Sequence, residues 1–314
     1  MVTLKHPALA QPETRTTSWA RPLARFMQRN GAGLLFLTPA ILVFAFFVWY
    51  PMVYGFVLSF QKNAFYGTPS FVGFQNYLFV LHDFNFWTAW RNSALYALYG
   101  LLIGYLIPIV LAVVINEVRR GQGYFRLAFY LPVIVPPIVT VFLWRYLYEH
   151  DGGLINSLLS LVHIGPQPWL QSPGTALPSL VIVTTWANMG GTVLIYLAAL
   201  QGIPAQLYEA AEIDGSTVWQ RIRHITLPQM RGIMLILLLI QLIATVQIFT
   251  EPYTLTNGGP DHATLTVMLM IYQYAFASGN FGAASALGVI LFLVLVVLSL
   301  GYFGITRRFN RGVE

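Results

Sequence analysis

The chain has 314 residues, of which 57% are hydrophobic and only 9% charged. Soluble chains carry about 25% charged residues, so composition alone excludes an ordinary soluble domain and places this one in a membrane. The net charge of +6 comes from basic residues beside apolar runs, a pattern that suits phospholipid headgroups and not nucleic acid, and the absence of cysteine removes disulfides, thiolate nucleophiles and cysteine metal sites.

Residues 1–30 are polar and basic with several prolines, and they read as a cytoplasmic tail with a short amphipathic helix between Trp19 and Met27. No cleavable signal is expected, because the first apolar run is too long for a signal core and no small-residue cleavage site follows it. A spanning helix needs about 20 mainly apolar residues. Six intervals qualify: 32–59, 93–116, 125–148, 176–200, 232–249 and 281–305. They predict an all-α polytopic body over residues 31–306, followed by a second cytoplasmic tail over 307–314. Pro39, Pro51, Pro108, Pro132, Pro136 and Pro137 fall inside these spans and predict kinks, not breaks, since neighbouring helices can re-satisfy the freed carbonyls.

Lys and Arg set the orientation. With the N-terminus inside, the inner segments hold fourteen of the seventeen basic residues, leaving Lys62, Arg91 and Arg145 at the outer side or its border. The positive-inside rule is satisfied, and both termini are cytoplasmic on this reading.

The inner interval 203–228 carries Glu209, Glu212, Asp214, Arg221, Arg223 and His224. Pro204 suits a first helical turn, and residues 205–213 are mostly good helix formers. Gly215 allows a left-handed helix end and Ser216 can cap the next helix. Val218, Ile222 and Ile225 then form an apolar stripe, with Trp219 beside them, and Leu227-Pro228 ends it. The prediction is a stiff two-helix elbow with one apolar and one charged face.

Glu209-Ala210-Ala211, Asp214-Gly215 and Ile225-Thr226-Leu227-Pro228 resemble the EAA loop of the integral membrane subunits of ATP-binding-cassette importers, in its carbohydrate-importer form. Weaker matches keep the family's order. They are Phe71-Val72-Gly73-Phe74-Gln75-Asn76-Tyr77 after the first span, Gly153-Leu154-Ile155-Asn156 with Trp169-Leu170, and Leu255-Thr256-Asn257-Gly258-Gly259-Pro260. Where the family often has Phe-Asp, this chain has Phe249-Thr250 followed by Glu251. The resemblance covers about 34–305 and implies a type I importer permease fold in the cytoplasmic membrane. It further implies that Glu209, Ala210, Ala211, Asp214, Gly215, Ile225, Leu227 and Pro228 dock into an ATPase subunit. The implied partners are a second homologous permease, two ATPase subunits that hold ATP and Mg, and an extracytoplasmic solute-binding protein delivering a carbohydrate.

The chain's own chemistry leaves little room for catalysis. Lys5 and Lys62 follow Leu4 and Gln61, so no phosphate-binding Gly-Lys pair exists and ATP hydrolysis is expected on another polypeptide. No cofactor and no metal is expected on this chain. The histidines at 6, 82, 150, 163, 224 and 262 sit in tails, loops or borders, which disfavours an intramembrane hydrolase. Mid-span charges are scarce, which favours ATP over ion coupling. An ATP-independent secondary carrier remains the alternative, because sodium sites can be built from carbonyls and hydroxyls alone. Polar and aromatic residues of the later spans are the candidates for touching a sugar: Trp186, Asn188, Gln241, Thr245, Gln247 and Tyr272.

Overall fold

Long apolar stretches have only one way to satisfy their backbone in lipid, and nearly all of them here are helical. The computed structural model describes residues 33–62, 69–118 and 121–310, the side chains of 308–310 excepted. The expected tail 1–30, its segment Trp19–Met27, Arg119, Arg120 and residues 311–314 lie outside the described residues. The chain divides into two units, residues 1–55 and 56–314.

The first apolar run forms α1 (Gly33–Leu58), whose most apolar window has no buried residue. Next, β1 (Gln61–Lys62) pairs antiparallel with β2 (Ser70–Phe71), Gln61 opposite Phe71. The helices α2 (Gln75–Leu81) and α3 (Phe86–Glu117) follow. Then come α4 (Gln122–Ile134) and α5 (Pro137–Leu147), a short α6 (Leu154–Leu161) and the long α7 (Pro173–Gln201). The elbow's first helix is α8 (Ala205–Ile213), its second opens α9 (Val218–Val246), and α10 (Val267–Ala277) and α11 (Phe281–Asn310) close the chain. Among the described residues five helices are long and apolar enough to cross a membrane, or six if the bent pair α4–α5 counts as one span.

Pro39 and Pro132 are carried inside α-helix, and the other prolines act in two ways. Proline at position i removes the donor for the carbonyl at i−4 and its ring presses on that carbonyl, and a widened π turn relieves both. Pro51, Pro108 and Pro228 are each preceded by such a turn, Ala45–Trp49, Gly100–Tyr105 and Ile222–Thr226. The Tyr50 N–H bonds Ala45 O and the Leu227 N–H bonds Ile222 O, both spanning five residues. Leu227-Pro228 therefore does not end the elbow's second helix, as the sequence predicts, but is carried within α9. At Pro136-Pro137 the outcome differs from the expected kink. Two successive residues lack an N–H, Val135 and Pro136 turn extended (ψ 127° and 138°), and α4 and α5 separate with a 102° bend.

Buried side chains of residues 56–314 gather in three clusters. One joins α2, the start of α3, α10 and α11 around Val80, Phe86, Leu269 and Leu287. A second joins α3, α5 and α7 around Tyr96, Trp144, Tyr148 and Leu180. The third joins the ends of α3 and α7 to α9 around Ile115, Tyr196 and Met230. The Asn156 and Trp169 segments singled out in the sequence meet: Trp169 Nε1 donates to Asn156 Oδ1 at 2.9 Å, and Asn156 Nδ2 donates to the carbonyls of His150 and Gln167 at 3.1 Å. Likewise Asn92 Nδ2 donates to His262 O and Leu265 O, and Ser93 Oγ accepts from Val267 N, so α3 holds the loop that follows Gly258-Gly259-Pro260.

Candidate functional site

Two features of residues 56–314 concentrate polar chemistry, a cavity among the helices and the elbow at α8–α9. The cavity, of about 480 Å³, lies where the helical irregularities converge: the π turn of α3, the break between α4 and α5, the middle of α7 and the end of α9. Its size is that of a small-molecule pocket.

Close approach of α3 to α9 shapes one wall. A Cβ on Gly104 would lie 2.9 Å from Gln241 Nε2, and one on Gly100 2.6 Å from Thr245 Cγ2. Gln241 donates to Gly100 O at 3.5 Å, and Thr245 Oγ1 to its own helix at Gln241 O, 2.9 Å. On α7, Asn188 Nδ2 donates to Thr184 O at 2.9 Å, while Tyr96 Oη and Thr184 Oγ1 share a hydrogen bond at 2.5 Å. Glu251, just beyond α9, closes the lining. Burial raises its pKa above the ordinary carboxylate range, and its Oε2 is enclosed without a hydrogen-bond partner among the described residues.

Of the six pathway candidates from sequence, Asn188, Gln241 and Thr245 line this cavity together. Trp186 instead packs edge-on to Trp144 with ring centres 5.7 Å apart. Gln247 is the exposed residue that caps α9, and Tyr272 packs with tilted rings among Phe249, Tyr253 and Phe276. Tyr96, Thr184 and Glu251 were not among the candidates. Threonines in apolar runs carry no signal of their own, whereas Glu251 stands out as an acid directly after an apolar span.

The elbow is built by its turn chemistry. The N–H of Gly215 bonds Glu212 O and that of Ser216 bonds Ala211 O, which ends α8 in a Schellman turn, with Gly215 at φ +72°. The residue that caps α9 is Thr217, not the expected Ser216. Its hydroxyl accepts from Gln220 N at 3.4 Å while Gln220 Oε1 accepts from Thr217 N at 2.7 Å. Ser216 Oγ is buried without a partner among the described residues. The elbow is closed by Arg221 bonding Glu212 at 2.6 Å and is tied to α9 by Tyr208 Oη and Thr226 Oγ1 at 3.0 Å. Glu209, Ala210, Asp214, Gly215 and Pro228 are exposed, whereas Ala211, Ile225 and Leu227 are half-buried. Beside them Ile213 is 87% and Trp219 69% exposed, so the polar elbow displays apolar side chains at its tip. Thr217→Ala is expected to cost about 1 kcal/mol and to loosen the elbow, read as faster limited proteolysis between Glu212 and Arg223. Among the described residues no three His, Asp or Glu side chains gather as a metal site requires.

The family model of the inner membrane component of binding-protein-dependent transport systems matches residues 104–314. A probable ABC transporter permease protein of Bacillus subtilis, YurN, is 34% identical over 271 residues, 85% of this chain and 92% of that protein. The arabinooligosaccharides transport system permease protein AraP of Bacillus subtilis is 33% identical over 278 residues, 88% of each. Among solved structures, a bacterial alginate ABC transporter in complex with its alginate pentasaccharide-bound periplasmic protein aligns with a TM-score of 0.80 and 26% identity, over 91% of this chain and 97% of that one. The helices, the cavity among them and these likenesses agree, and the chain belongs to the family of binding-protein-dependent transport system inner membrane components, as a multi-pass permease subunit of an ABC importer.

Proposed function

We propose that this chain forms half of the translocation pathway of an ATP-driven carbohydrate importer and receives the power stroke through the elbow 203–228. The observation that carries the coupling role is the elbow tip, where Ile213 and Trp219 stand exposed on an otherwise charged segment locked by a Schellman turn and a capping box. Apolar side chains held rigidly at a polar tip suit insertion into a socket on a partner. The ATPase subunits, holding ATP and Mg, are the partners for Glu209, Ala210, Ala211, Asp214, Gly215, Ile225, Leu227 and Pro228. A second homologous permease completes the pathway, and an extracytoplasmic binding protein delivers the cargo. Counting the bent pair α4–α5 as one span gives six, with both termini in the cytoplasm.

Carbohydrate as cargo is supported by the relative named for arabinooligosaccharides and the structure holding an alginate pentasaccharide. It is also supported by the cavity lining of threonines with Tyr96, Asn188 and Gln241, whose hydroxyls and amides match the hydrogen-bonding demands of sugar hydroxyls. Affinity purification of the chain from native membranes in mild detergent, with mass spectrometry of what co-elutes, tests the assembly. Recovery of a P-loop ATPase, a second EAA-bearing permease and a solute-binding protein is expected. Isolation of a monodisperse single chain, with uptake that survives ATP depletion and collapses with the ion gradient, would refute it.

A further inference from the structure

Between the elbow and the cavity, α9 is gripped by two tyrosines. Tyr105, the last residue of the π turn in α3, donates from its Oη to Met234 O at 2.9 Å, and Tyr302 Oη on α11 donates to Leu235 O. Two neighbouring helices thus hold successive carbonyls of a third. The same π turn meets α9 again at Gly100, whose carbonyl accepts from Gln241 of the cavity wall. Met234 and Leu235 lie in unbroken α-helix, so each carbonyl already accepts an N–H from its own helix and the tyrosine supplies a second bond. Releasing such a bond frees one hydroxyl but bares no carbonyl, which keeps the cost within reach of a working cycle. The bonds are also sensitive to position: a shift of α9 by about 1 Å away from α3 or α11 takes the corresponding one out of range.

We propose that Tyr105 and Tyr302 are positioning residues of the transport cycle, a latch that holds α9 in the position described and lets go when the elbow moves Gln241 and Thr245. The assignment rests on the coupling reading above and adds the residues that set the balance between the two positions of α9. It also gives the two hydroxyls a role, since phenylalanine would fill the same space but grip nothing.

The test measures ATP hydrolysis by the purified permease–ATPase complex in lipid nanodiscs, with and without the solute-binding protein isolated from the native host with its saccharide still bound. Tyr105→Phe and Tyr302→Phe each remove one hydroxyl and keep the ring. Each is expected to change the ratio of stimulated to unstimulated hydrolysis by about threefold, and the double variant by about tenfold in the same direction. Tyr148→Phe is the control. Its Oη donates to Ser179 O at 3.2 Å, a bond of the same kind between α5 and α7 that does not touch α9. This variant is expected to lower the melting temperature about as much as either single latch variant while leaving the ratio within about 1.5-fold of wild type. A merely structural role for Tyr105 and Tyr302 would likewise move the melting temperature and not the ratio. Gel filtration checks that each complex remains assembled, and the single variants carry the test if the double one does not assemble. An unchanged ratio in assembled latch variants, or an equal change in Tyr148→Phe, would overturn the assignment. If the wild-type complex responds to the loaded binding protein while the latch variants behave like it, the coupling reading stands and only the latch falls. If the wild-type complex does not respond at all, the coupling reading falls and this proposal with it.

Discussion

Alanine at Gly190 is expected to lower the melting temperature of the detergent-solubilised protein by about 5 °C or more and to cut its yield in membranes. The added Cβ would lie 2.2 Å from Phe129 O and 2.8 Å from Tyr130 Cα. Both atoms are backbone, so no rotamer change relieves the contact, and α4 must move away from α7. Separation of closely packed helices forfeits dispersion contacts along their length, at a cost of about 1–3 kcal/mol for an overpacked site. In lipid, where tails are as apolar as side chains, such close approach is what holds helices together. The neighbouring glycine is the control: a Cβ on Gly191 meets nothing within 4 Å, and Gly191→Ala is expected to leave the melting temperature within about 2 °C of wild type. Scanning fluorimetry of the three proteins decides it, and equal melting of all three would refute the packing argument. Because Pro132, Val133 and Val135 of the α4 side line the same cavity as Asn188 and Met189 of α7, ligand binding by any surviving Gly190→Ala protein should weaken too.

Gly215→Val is expected to abolish most ATP-coupled uptake in proteoliposomes while leaving the helical spans intact. At φ +72° a β-branched residue is strained by about 1–2 kcal/mol or more, whereas nothing lies within 4 Å of the position its Cβ would take. The penalty is therefore one of backbone conformation, and it falls on the turn that sets α8 against α9. Gly215→Asn separates this cause from mere bulk, since asparagine tolerates the left-handed region. Retention of at least half the wild-type uptake by Gly215→Asn, beside a loss of about tenfold or more in Gly215→Val, is the expected pattern. Equal uptake by both variants would show that the turn conformation does not matter for coupling.

The helical class and the elbow were legible in the sequence for simple reasons. Twenty-residue apolar runs have few structural options, and a glycine between two helix-forming segments announces its own turn. What escaped was set by the response of the backbone to proline. Sequence shows that Pro136 and Pro228 sit in apolar or amphipathic surroundings, but not that one pair opens a 102° bend while the other is absorbed by a π turn. The capping residue slipped by one for a similar reason. Ser216 and Thr217 are both good caps, and only the bond from Ser216 N to Ala211 O commits Ser216 to the preceding helix. The cavity was half visible. Asn188, Gln241 and Thr245 could be ranked by polarity and depth, yet Trp186 has the same credentials and packs against Trp144, because which side of α7 faces the cavity depends on the partner helices.

The absorbed proline has a mechanical consequence. Since α9 continues from Val218 through Pro228 to Val246, the capped end of the elbow and the cavity residues Gln241 and Thr245 ride on a single rod. At 1.5 Å per residue, the distance from Val218 to Gln241 is about 35 Å, and a tilt of only about 5° about the elbow end sweeps Gln241 through about 3 Å. That is the length of a hydrogen bond. A lever of this reach can exchange one set of partners for another at the cavity wall with no helix melting and no loop rearranging between the two ends.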